Sequence, residues 1–154
     1  MIVQRFGGVS GWLVAAALVG ACGDEVVVKN GQPRVTWVAL EALGEDRAAL
    51  TLWVQDAEGD AVDVVIRWRV GGEEGPVVLA AGSPPLMGLP TELGIGDDAG
   101  QAHRVVWNLG EVPPGNAELT LQVDDRPHQG GDGDTYRVDG LDPRVGGGPA
   151  AASR

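Results

Sequence analysis

A single antiparallel β-sandwich of about seven strands, all-β in class, is what this 154-residue chain predicts. Three observations carry that reading. Apolar residues recur at every second position in several short runs, as strands with one face in a core require. Clusters drawn from 25 Gly and 10 Pro punctuate those runs at short, regular spacing. The length suits one small domain around one core and excludes a multidomain enzyme.

The first element is a leader, not part of the fold. Met1 to Ala21 holds no acidic residue and Arg5 as its one basic side chain, then runs Trp12-Leu13-Val14-Ala15-Ala16-Ala17-Leu18-Val19-Gly20-Ala21. A bilayer core needs about 20 apolar residues, whereas an export signal needs an apolar stretch of about 7–15, so residues 1–21 read as a cleaved signal peptide. Val19-Gly20-Ala21-Cys22 resembles the lipobox of bacterial lipoproteins. That resemblance implies a thioether-linked diacylglycerol on Cys22, cleavage between Ala21 and Cys22, and acylation of the new amino group. Two or three acyl chains, at about 0.8 kcal/mol per buried methylene, anchor a protein stably where one does not. Gly23 rather than Asp follows the Cys; by the same resemblance this favours an outer-membrane destination over the inner membrane. Cys22 is the sole cysteine, so an intramolecular disulfide and a cysteine-based zinc site are both excluded.

Residues 22–32 read as a tether and 33–142 as the sandwich. Val62, Val64, Ile66, Trp68 and Val70 alternate with Asp63, Val65, Arg67 and Arg69, the strongest strand signal in the chain. Leu50, Leu52 and Val54 alternate with Thr51, Trp53 and Gln55; His103, Val105 and Trp107 with Arg104, Val106 and Asn108; Leu119, Leu121 and Val123 with Glu118, Thr120, Gln122 and Asp124. Pro33 to Glu41, Pro76 to Ala81 and Thr135 to Asp139 complete the set. Ala57 to Asp60, Gly71 to Gly75, Pro113 to Asn116 and Gly130 to Asp134 supply turn chemistry between them. Ser83 to Gly100 is a longer loop that crosses between sheets. Residues 143–154 are rich in Gly, Ala and Pro and read as a disordered tail. Trp37, Trp68 and Trp107 are expected to dominate the core, since each aromatic buries about 150–250 Å².

Several of these runs resemble the immunoglobulin-like and fibronectin type III-like modules of bacterial envelope proteins: Val64 to Gly72, Gly100 to Asn108 and Ala117 to Asp125. The resemblance implies that His103–Asn108 is strand E and Ala117–Asp124 strand F, paired with Val62–Val70 as strand C. It departs from the stricter families in lacking a Cys pair and a tyrosine corner.

Lys and Arg number 11 against 22 Asp and Glu, a formal net charge of −11, which repels a polyanion and excludes nucleic acid as a partner. Catalytic chemistry finds no constellation: the serines after the leader are Ser83, in a Gly-Ser-Pro turn, and Ser153, near the chain end, and neither sits near His103 or His128 in sequence. Acids gather in Asp124, Asp125, Asp132 and Asp134, which suits a calcium site in its choice of oxygen ligands. The EF-hand pattern fails there, with Arg137 where Gly is needed and Pro143 where Glu is needed. Arg67 and Arg69, on the polar side of their strand, either bind an anionic ligand or pair across strands with Glu118, Gln122 and Asp124. Trp53 falls on a polar face and is a candidate for sugar or protein contact, or for partial burial under a loop.

The expected protein is a lipid-anchored module of the bacterial cell envelope, without catalysis and without a cofactor beyond the lipid on Cys22. Its partners are the membrane, through that lipid, and an envelope or extracellular protein. A carbohydrate- or calcium-binding module is the alternative.

Overall fold

A computed structural model describes residues 31–93, 100–126 and 133–154. Within them the chain is all-β. It runs β1 (Arg34–Ala42), β2 (Arg47–Asp56), β3 (Ala61–Val70), β4 (Glu73–Pro76), β5 (Glu92–Leu93), β6 (Gln101–Asn108), β7 (Ala117–Arg126), β8 (Asp134–Leu141) and β9 (Gly147–Ala151). One sheet places β6, β2, β1 and β9 side by side, with the two-residue β5 running parallel to the end of β2. The other is ordered β4-β3-β7-β8 and is antiparallel throughout.

The period-two patterns explain why the two sheets stack. Val62, Val64, Ile66, Trp68 and Val70 of β3 are buried, while Val65, Arg67 and Arg69 between them are exposed. Leu50, Leu52 and Val54 of β2 face them from the other sheet, and Val105 and Trp107 of β6, with Leu119, Leu121 and Val123 of β7, complete one continuous core. Trp107 is fully buried; at about 25 cal/mol per Å² its side chain contributes on the order of 4–6 kcal/mol. Trp68 sits against β4 because Gly75 leaves it room. A methyl group at Gly75 would stand 2.9 Å from its ring carbon Cζ2, and the indole N–H donates to the Pro76 carbonyl at 3.0 Å.

Both open sides of the sandwich are closed by segments that change sheets. After β4, Val77 N–H donates to Ile66 of β3, then Ala80 N–H donates to Val106 and Asn108 N–H to Val78 in the opposite sheet. The chain returns through Leu86 and Leu89, whose carbonyls accept from Val64 and Val62. This is the sheet crossing expected of the Ser83–Gly100 loop. On the far side β9 pairs with β1, after which Ser153 bridges Arg137 of β8. Such cover protects strand edges from pairing with other chains.

Four expectations are corrected here. Residues 143–154 are not a disordered tail: Pro143 is buried, and the Arg144 guanidinium donates to the carbonyls of Pro113 and Val112 at 3.0 and 2.6 Å. Beyond it, β9 satisfies the backbone of β1, and the register shift between Val38 and Leu40 gives Pro149 a place in the strand. Trp37 is not a core residue. An irregularity between Val35 and Trp37 inserts Thr36, so the inward series continues at Val38 and Leu40 and Trp37 turns outward, half-buried. Finally, Gly71 to Gly75 is only partly turn, since β4 begins at Glu73, and of Pro76 to Ala81 only Pro76, the last residue of β4, lies in a strand, the rest contributing the isolated Leu79–Trp107 bridge.

Candidate functional site

The outer faces of the two sheets are built from the residues that alternation leaves outside, and they differ in chemistry. On the β4-β3-β7-β8 sheet, Arg69 reaches Glu74 at 3.1 Å and Glu118 at 3.6 Å, and Arg67 stands 4.0 Å from Glu74. The hydrogen bond that Arg69 donates to Glu74, followed by the charge of Glu118, raises the Arg69 pKa further above its ordinary range. Glu118 is the cross-strand partner that register places opposite Arg69. Glu74 was missed because Gly71 to Gly75 read as a turn. Gln122 and Asp124 lie opposite Val65 and Asp63 instead. The two arginines are therefore engaged with carboxylates of their own sheet.

The other outer face carries tryptophan. Val38 and Leu52 are fully buried, so their neighbours Trp37 and Trp53 project outward, and the two are register partners. Ala102 lies opposite Trp53 on β6, and Ala151 opposite Trp37 on β9. A row Ala151–Trp37–Trp53–Ala102 thus crosses four strands, with both indoles half-buried. The next row holds Ala39, Thr51 and Arg104, whose guanidinium donates to Glu41 at 2.7 Å. Alternation identified Trp53 as outward; it could not identify Trp37, because a bulge is invisible to a period-two reading.

Beside Trp37, where β1, β8 and β9 meet, lies an open cleft of about 500 Å³ lined by Arg34, Val35, Thr36, Trp37, Tyr136, Ala151, Ala152 and Arg154. Tyr136 donates its hydroxyl to the Pro33 carbonyl at 3.2 Å. Arg154 lies over its ring, 5.8 Å from the centroid, and Arg154 Nε contacts Asp134 at 2.7 Å. Burial raises the Tyr136 pKa above its ordinary value, with the Arg154 hydrogen bond opposing. The Arg154 pKa is raised, chiefly through its hydrogen bond with Tyr136.

Among the described residues, the acids proposed for calcium, Asp124, Asp125 and Asp134, do not gather at one point. Asp124 is exposed and faces outward, while its neighbour Asp125 is buried and faces inward opposite Val62. Asp134 holds Arg154 and caps Thr135 N at 2.8 Å. Asp132 lies outside the described residues, as do Ala21, Cys22 and His128. Among the described residues no three His, Cys, Asp or Glu side chains gather as a metal site would require. Sequence reading missed one buried acid, Asp56, whose Oδ1 accepts from Glu58 N and Asp60 N and fixes the β2–β3 turn; the Asp-x-x-Gly-Asp spacing was its signal. Ser83 Oγ accepts from Val106 N at 2.9 Å, and His103 Nε2 is 2.7 Å from the Pro90 carbonyl.

No protein-family model, curated protein or solved structure matches this chain.

Proposed function

We propose that this protein is a lipid-anchored component of the bacterial cell envelope whose immunoglobulin-like or fibronectin type III-like sandwich is a non-catalytic interaction module. One observation carries the anchor: the sole cysteine follows Val19-Gly20-Ala21 at the end of a short apolar leader. Export and an outer-membrane destination follow from the same residues. Acyl chains hold Cys22 at the surface, and residues 22–32 join it to the sandwich.

The strand order supports the module. With β1, β2 and β6 as A, B and E, and β3, β7 and β8 as C, F and G, the sheets divide as those families divide them. The partner is an envelope or extracellular molecule met on an outer face. A second reading, carbohydrate binding, is favoured by the Trp37–Trp53 row.

The test is metabolic labelling of the full chain with radioactive palmitate in a bacterial host, with mass analysis of its N-terminal peptide. The expected product is labelled, begins at Cys22 and loses its label on Cys22→Ala. A product that retains Met1 and a free thiol refutes the anchor.

A further inference from the structure

The covalent path from Cys22 enters the described fold beside the tryptophan row. Gly31 N–H donates to the Glu58 carboxylate at 3.0 Å, which seats the incoming chain against the turn between β2 and β3. From there β1 begins at Arg34, opposite Gln55, and the Trp37–Trp53 pair stands two positions further along β2, about 7 Å at about 3.4 Å per residue. Residues 23–30 alone separate Gly31 from Cys22, so an anchored molecule holds this end of the sheet nearest the bilayer.

Two surfaces meet at that end. The Ala57–Asp60 turn carries Glu58 and Asp60, carboxylates that an anionic bilayer surface repels. The outer face of β1, β2 and β6 carries Trp37, Trp53, Ala39, Thr51, Ala102 and Val106, and its one acid, Glu41, is held by Arg104 at 2.7 Å. Asp63, Glu74, Glu118 and Asp124 stand instead on the other sheet. In a chain of net charge −11, the tryptophan face is therefore the outer face that meets a bilayer with the less repulsion.

Indole chemistry suits that contact. The ring is apolar and its N–H polar, the combination that concentrates tryptophan at the level of lipid headgroups. Trp37 and Trp53 are half-buried, and the short side chains of Ala151 and Ala102, both exposed, flank them. We infer that the Trp37–Trp53 face docks on the headgroup layer of the bilayer that holds the anchor. The acyl chains confine the sandwich and the indoles orient it, so the arginine–carboxylate face of β3 and β7 turns away from the membrane toward a partner. Two indoles bind a surface weakly by themselves; confinement by the anchor supplies the effective concentration that makes the contact persist. The inference rests on the lipid-anchor reading.

The test uses the full chain purified from bacterial membranes and reconstituted in vesicles of phosphatidylcholine and phosphatidylglycerol, with and without bromine on the acyl chains near the headgroup. Bromine quenches an indole that it touches. Tryptophan emission should fall in the brominated vesicles, and the fall should be lost when Trp37→Phe and Trp53→Phe are combined, leaving the signal of the buried Trp68 and Trp107. Ala102→Glu with Ala151→Glu, at exposed positions, should also abolish the fall, with melting temperature and sedimentation with the vesicles unchanged. Val65→Glu, exposed on the opposite face, should leave the fall intact. Palmitate labelling of the same preparation separates the two claims. A labelled protein that sediments with the vesicles yet shows no quenching, or quenching that survives either pair of substitutions, overturns the docking face and leaves the anchor standing. So does a labelled protein whose indoles respond to a neutral oligosaccharide or to a second copy of the chain but not to bromine. An unlabelled protein that stays in solution overturns both.

Discussion

The two outer faces of this sandwich cover the same core yet hold different chemistry. The β3–β7 face is a ladder of arginine and carboxylate, in which Glu74 meets Arg67 and Arg69, and Arg69 also meets Glu118. The β1–β2 face sets two tryptophans side by side among alanines. A solvated strand face needs only polar side chains, which the first supplies; large half-buried aromatics on the second add apolar surface that the core does not require.

The largest effect tests the premise that both faces rest on one core. Trp107→Ala empties a fully buried site between the sheets and should cost about 3–5 kcal/mol in denaturant unfolding. Circular dichroism and tryptophan fluorescence should report one coincident transition; separate transitions for the two sheets would break the comparison at its root.

A smaller effect concerns the junction beside the tryptophan face. Burial raises the Tyr136 pKa from a model-compound value of 10.0, so the folded state holds the phenol proton more tightly than the unfolded state. That contribution is complete below pH 10 and is lost as pH rises through the folded-state pKa. Melting temperature should therefore fall above pH 10, and Tyr136→Phe should shrink the fall. Identical alkaline profiles for the two proteins would remove Tyr136 from the account.

The smallest effect is on the charged face. Arg69 is exposed to solvent, and its ion pairs with Glu74 and Glu118 are open to screening. Arg69→Gln should leave both the melting temperature and the quenching by brominated lipid where they were. A clear loss of quenching would move the docking face to the other sheet.

What sequence alone disclosed follows the same division. The strands with one buried face were legible because Val62 to Val70, Leu50 to Val54 and Leu119 to Val123 must alternate to fill a core between two sheets. Strand β9 was not, because Gly147, Gly148, Pro149 and Ala150 carry no alternation; they form a strand because β1 offers an edge whose backbone groups need partners. Half of the candidate site was readable. Trp53 follows the period-two rule, whereas Trp37 depends on the extra residue Thr36, and the cleft depends on Arg34 and Arg154, brought together from opposite ends of the described fold.

The most direct measurement is a proton–nitrogen correlation spectrum of the full chain, labelled at tryptophan and anchored in bilayer discs of the same two phospholipids, recorded with and without a paramagnetic headgroup lipid. The indole N–H signals of Trp37 and Trp53, assigned through Trp37→Phe and Trp53→Phe, should broaden together and more than those of Trp68 and Trp107. Equal broadening of all four, unchanged signals from Trp37 and Trp53, or broadening strongest at Trp68 beside the Arg67–Glu118 ladder, would contradict the assignment of the tryptophan face to the membrane.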